Sequence, residues 1–215
     1  MTAASWVLVA VTLAVCAGDW MAVATRTKPV EYVCKPLALA LVVATAATLH
    51  PVDADRRWWF VAALVLGLCG DVLLMLDGRF FVAGLASFLV GHALYIVGLL
   101  VRGPGSHPGV VGSLVATGAV LVVAFWPALR IVRSVRRDHP PLTAPVIAYV
   151  AVICAMAAIA LDSGNALAAT GAVLFVVSDT TLAWNRFVRS LAGGPLAVIV
   201  TYHAAQILLA TSLVR

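Results

Sequence analysis

Apolar residues fill long uninterrupted runs of this chain, and polar positions gather between them. A helix needs about 20 apolar residues to cross about 30 Å of hydrocarbon. By that measure the chain holds eight spans, residues 5–24, 33–50, 58–76, 80–101, 109–129, 142–161, 165–185 and 195–214. Inside the spans the polar and small residues recur at helical spacing. On the fourth, Gly84, Ser87, Phe88, Gly91, His92 and Tyr95 fall three and four apart, which is one stripe of an α-helix. On the seventh, Gly171, Phe175, Ser178, Asp179 and Leu182 do the same, and on the eighth Tyr202, His203 and Gln206 form a polar stripe. The small members of such stripes let another helix come close. Spans five and six show almost no polar feature and read as packing helices. The pattern predicts an all-α polytopic membrane protein, one integral membrane domain over residues 1–215.

Composition agrees. The chain is 63% hydrophobic and 11% charged, with a mean hydropathy of +1.07, against apolar usage of about one half in soluble domains. The first span lacks the basic flank and cleavage pattern of a signal peptide and carries Asp19 and Trp20 near its end, so it counts as a membrane span. The net charge of +5 does not suggest nucleic acid, because the cations sit between spans. Ten of the 14 Lys and Arg residues flank one side: Arg26, Lys28, Lys35, Arg79, Arg130, Arg133, Arg136, Arg137, Arg186 and Arg189. Arg56, Arg57, Arg102 and Arg215 flank the other. Cations mark the cytoplasmic side, which places both termini outside in a cell-membrane protein. Cys16, Cys34, Cys69 and Cys154 show no metal or CxxC spacing and read as small, buried, reduced side chains. Pro36 suits a first helical turn, with Lys35 beside it at the headgroups.

The ionisable groups inside the spans demand a reason, because a charge at mid-membrane costs on the order of 3 kcal/mol or more. Asp71 lies six residues before Asp77 and Asp179 seven before Arg186, so both sit about 9 to 11 Å inside their helix ends. They share a depth and can meet. Asp19, seven before Arg26, is a third candidate at that depth. Spans three and four resemble spans seven and eight in plan, an Asp near the end of the first helix and His with Tyr in the second. Four crossings separate the two units, so they would be parallel repeats. No Ser–His–Asp arrangement fits the spacing. Two close carboxylates in a low-dielectric site cannot both ionise, so the pair titrates as a unit and supplies one acid and one anion.

Several motifs together resemble the YhhN/TMEM86 family of membrane proteins, which includes the lysoplasmalogenases. They are Lys35-Pro36-Leu37, Gly70-Asp71 with Leu73, Phe81-x-x-Gly84-x-x-Ser87-Phe88-x-x-Gly91-His92-x-x-Tyr95, and Gly171 through Phe175 to Ser178-Asp179. Ala183, Asn185, Phe187, Tyr202 and Gln206 complete the set. His203 departs from the family pattern, which has an aromatic pair before that glutamine. The resemblance implies an eight-helix intramembrane hydrolase that cleaves the vinyl ether of lysoplasmalogens to a fatty aldehyde and glycerophosphoethanolamine or glycerophosphocholine. Together with the depth argument it points to Asp71 and Asp179 as the catalytic pair, one the proton donor and the other steadying the cation, with Lys35, Ser87, His92, Tyr95, Ser178, Asn185, Tyr202, His203 and Gln206 as candidates for binding substrate or supporting the pair. The partners expected are the lysophospholipid and the bilayer, with no cofactor, metal or obligate protein partner, and the site nearer the cytoplasmic leaflet. Such a bond breaks through protonation of carbon and an oxocarbenium-like cation, which two carboxylates handle in glycosidases. Lys35, Arg79 and Arg186 are available to the lipid phosphate, and His92 falls some 10 Å above the aspartates by helical rise. Two other readings stay open: a metal-dependent lipid hydrolase using Asp71, Asp179, His92 and His203, and a lipid or ion carrier with proton-relay aspartates.

Overall fold

Eight α-helices follow one another in the computed structural model, which describes residues 3–51, 53–76, 78–101 and 110–214. They are α1 (Ala3–Thr25), α2 (Lys28–Thr48), α3 (Ala54–Met75), α4 (Phe81–Leu100), α5 (Val110–Asp138), α6 (Thr143–Asp162), α7 (Ala166–Phe187) and α8 (Gly194–Thr211). Each contains a stretch long and apolar enough to cross a membrane, the architecture of a multi-pass membrane protein. Asp77, Arg102 and Arg215, used in the depth and charge counts, lie outside the described residues.

Two boundaries differ from the sequence expectation by five residues or more, the start of α2 and the end of α5. Helix α2 begins at Lys28 with Pro29 in its opening positions, so Pro36 lies inside the helix instead of starting it. The earlier start follows from a Schellman closure of α1, in which Thr27 N–H donates to Ala22 and Arg26 N–H to Val23, with Arg26 at φ 59°. Only two residues then separate the helices. Lys28, Glu31, Tyr32 and Lys35 consequently share one face of α2, spaced three, four and seven residues from the first. Helix α5 runs to Asp138, so Arg130, Arg133, Arg136 and Arg137 are helical, not loop. Arginine is a good helix former, and its long stem reaches the interface from within a helix.

Glycines close the α3–α4 and α7–α8 hairpins. Gly91 faces the Ala63 carbonyl, where an added Cβ would come within 3.1 Å. Ser87 Oγ donates across the same seam to the Leu66 carbonyl at 2.6 Å, and Ser178 Oγ donates from α7 to Val198 of α8 at 3.0 Å. A Cβ on Gly171 would meet the Ala205 carbonyl at 3.0 Å and the Leu209 nitrogen at 3.1 Å, backbone atoms that cannot yield. Gly171→Leu is therefore expected to lower stability by about 1–3 kcal/mol. Gly118→Ala, at a site with nothing within 4 Å, is expected to be neutral or slightly stabilising. Thermal melting in detergent compares the two, and equal melting temperatures would refute the packing role of Gly171. The cysteines are free among the described residues. Cys16 is buried as expected, whereas Cys69 is exposed, on an apolar helix whose outer face the membrane solvates.

Candidate active site

A cavity of about 290 Å³ is lined by residues of every helix but α1. Its mouth collects helix ends: Lys28, Glu31 and Tyr32 from the start of α2, Met75 from the end of α3, Phe81 from the start of α4 and Arg186 from the end of α7. Its walls are apolar, including Leu85, Ile131, Val150, Ile153 and Ile199. Asp71 and Asp179 both line it. No hydrogen bond joins the two carboxylates among the described residues, and each has its own partners.

Asp71, 2% exposed, has a donor at each oxygen. Lys35 Nζ lies 3.0 Å from Oδ1 and Tyr202 donates its hydroxyl to Oδ2 at 2.6 Å. A chain of hydrogen bonds fixes that tyrosine from behind. Tyr95 donates to Gln206 Oε1 at 2.7 Å, and Gln206 Nε2 donates to the Tyr202 hydroxyl at 3.3 Å. All of these residues are buried, so their alignment persists without solvent competition. Each oxygen of Asp71 thus has its own donor, one of them the Lys35 ammonium.

Asp179 accepts the Tyr149 hydroxyl on Oδ2, and His92 Nε2 lies 3.6 Å from the same oxygen. Among the described residues no lysine or arginine pairs with it, and no hydrogen bond reaches Oδ1. His92 packs edge-on against Phe175, with ring centroids 4.5 Å apart, and beside Tyr149 at 5.4 Å. The expected 10 Å separation of His92 from the aspartates is wrong for Asp179. Helix α4 starts at Phe81, so His92 stands about 16 Å along it, and Asp179 about 12 Å inside the end of α7. Side chains also lean toward the start of their own helix. His92 leans down and Asp179 leans up, which closes the gap.

The remaining expected residues divide. Lys35, Ser178 and Tyr202 line the cavity; Tyr95 and Gln206 act behind it through Tyr202. Ser87 serves the α3–α4 seam. Asn185 serves the turn into α8, accepting from Leu191 N–H at 2.9 Å beside Gly194, where no Cβ would fit. His203 is not in the cavity: it takes a hydrogen bond from Trp20 and faces Asp19. The arginine nearest the mouth is Arg186, whose guanidinium lies 3.7 Å from the Phe81 ring centroid; Arg79 stacks on Phe80 and does not line the cavity. Tyr149, missed in the sequence, belongs to a helix that seemed featureless. One tyrosine in an apolar run carries no signal of its direction, and only the packing of α6 against α7 and α4 reveals it.

The four metal ligands of the alternative reading do not converge. His92 is with Asp179 and His203 with Asp19, and among the described residues no three His, Cys, Asp or Glu side chains form a ligand group.

Comparison with known proteins gives a consistent set of similarities. The YhhN family model matches residues 30–213. The chain is 37% identical over 183 residues to a lysoplasmalogenase of Mycobacterium bovis, covering 80% of this chain and 66% of that one. The Mycobacterium tuberculosis lysoplasmalogenase gives the same values. Human lysoplasmalogenase TMEM86B is 34% identical over 153 residues, 71% of this chain and 62% of the human one. The matched stretch thus spans about two thirds or less of these relatives' length. No solved structure matches the chain.

Proposed function

We infer, from the premise that this chain belongs to the YhhN family, that it is an intramembrane hydrolase cleaving the vinyl ether bond of lysoplasmalogens. The observation that carries this reading is one apolar cavity bearing two carboxylates in opposite electrostatic settings. Asp71 faces Lys35 and Tyr202 and is the fixed anion. Asp179 takes the Tyr149 hydroxyl and faces His92, and among the described residues it has no lysine or arginine partner and no hydrogen bond at Oδ1, which suits the proton donor.

The chemistry follows from those assignments. Asp179 delivers its proton to the vinyl carbon remote from oxygen, and the electron pair of the double bond forms the new C–H bond. The oxocarbenium cation left behind is steadied by the carboxylates and by the rings of Phe88, Tyr149 and Tyr202 around it. Water adds at the carbon bearing oxygen and gives its proton to the Asp179 carboxylate, restoring the acid. The hemiacetal collapses to fatty aldehyde and the glycerol hydroxyl. His92, 3.6 Å from Asp179, positions that carboxyl.

The mouth carries both signs of charge, as a zwitterionic headgroup requires. Arg186 and Lys28 are placed for the phosphate and Glu31 with Tyr32 for an ammonium. This headgroup end coincides with the arginine-rich helix ends, which we place at the cytoplasmic leaflet of the cell membrane with both termini outside. Residues 1–215 form one integral membrane domain on this reading.

A panel of lysolipids presented to the purified protein in vesicles tests the function. Aldehyde should appear from alkenyl lysophospholipids and from no saturated ether or ester analogue. Transport of lipid without aldehyde release would favour a carrier instead.

A further inference from the structure

A third carboxylate stands outside the cavity lining. Asp19 on α1 is fully buried, and among the described residues neither of its oxygens has a hydrogen-bond partner. His203 Nε2 of α8 lies 3.8 Å from Oδ2. Trp20 Nε1–H donates to His203 Nδ1 at 3.1 Å. A nitrogen that accepts carries no proton, so His203 is neutral with its proton on Nε2, facing Asp19. The indole fixes the tautomer.

The charges around Asp19 can be counted element by element. Cys16 lies one turn before it on α1, and α8 contributes the neutral His203. Helix α2 contributes Cys34, Lys28, Glu31 and Lys35, and α3 contributes Asp71, of which Lys28, Glu31, Lys35 and Asp71 act on Asp19 electrostatically. Lys28 and Glu31 pair with each other at 2.7 Å. One cation, Lys35, then faces two buried carboxylates, and it touches Asp71 at 3.0 Å. A second, uncompensated carboxylate in that interior is costly. A proton removes the cost.

We propose that Asp19 and His203 form a proton-holding site behind Lys35. With Asp19 protonated, Lys35 remains on Asp71 and the anionic end of the cavity is intact. When Asp19 gives its proton to solvent, it competes for the ammonium and draws it from Asp71. Asp19 is a positioning residue that acts through Lys35, and this role rests on the Lys35–Asp71 end of the active site proposed above.

Two measurements test it. The first is the pH profile of kcat on lysoplasmalogen. The wild type should lose activity on the alkaline side, Asp19→Asn should carry that loss upward by about one pH unit or more, and Asp19→Glu should restore it. A uniform fall in kcat with an unmoved profile would show a packing role and overturn the proposal. The second uses ¹⁵N NMR of the histidine side chains in micelles, with His203→Gln for assignment, and needs no turnover. His203 should be the Nε2–H tautomer, with a shift that titrates on raising pH in the wild type and stays flat in Asp19→Asn. The Nδ1–H tautomer, or a titration that survives Asp19→Asn, would overturn it. Absence of any turnover with the expected NMR result would sink the hydrolase reading alone.

Discussion

Replacing Asp179 with asparagine is expected to lower kcat for vinyl ether cleavage by about 10²–10⁴-fold, the range a general acid contributes, with little change in KM. The amide keeps the shape and can still accept from Tyr149, but it has no proton acidic enough for carbon. Asp179 bears no ammonium partner and is partly exposed to the cavity, so the variant should fold. Tyr149→Phe keeps the ring beside His92 and removes only the hydroxyl. Its loss should lie between the wild type and Asp179→Asn. Steady-state kinetics on reconstituted, monodisperse protein decides. If Asp179→Asn turned over at near the wild-type rate, the proton would have to come from elsewhere.

The second large effect concerns stability. Lys35 and Asp71 form a buried ion pair, 18% and 2% exposed, and removing one partner strands the other charge. Lys35→Met and Asp71→Asn should each cost about 3–5 kcal/mol. The double variant should recover much of that loss, because no uncompensated charge remains. A double-mutant cycle measured by denaturation in mixed micelles reads the coupling directly. Additive losses would mean that the two groups do not act as a pair. None of the three variants should regain activity, since each lacks the anion or the cation that orients it.

What the sequence disclosed follows the physics of the membrane. A run of apolar residues must be a helix there, because lipid satisfies no backbone polar group, so all eight spans were legible. Asp71 and Asp179 stood out because a charge in such a run is costly. Lys35, Tyr202 and His92 were legible as candidates, but which carboxylate each one serves was hidden, because each pairing joins separate helices: Tyr202 lies 131 residues from Asp71, and Tyr149, which carried no signal, lies 30 from Asp179. Hydropathy also misjudges helix ends. It started α2 too late, which concealed that Lys28, Glu31 and Tyr32 share the face of Lys35, and it stopped α5 before its arginines. His92 was misplaced because rise along an axis ignores where a side chain leans.

The central claim is that a carboxylic acid in this cavity protonates carbon. Purified protein in vesicles made up in D₂O, given a lysoplasmalogen or its saturated ether analogue, tests it most directly by mass spectrometry of the products. The account predicts fatty aldehyde from the vinyl ether alone, carrying one deuterium on the carbon next to the carbonyl beyond any exchange seen with ready-made aldehyde, and almost none from Asp179→Asn. Aldehyde without that deuterium, or undiminished formation by Asp179→Asn, would contradict it.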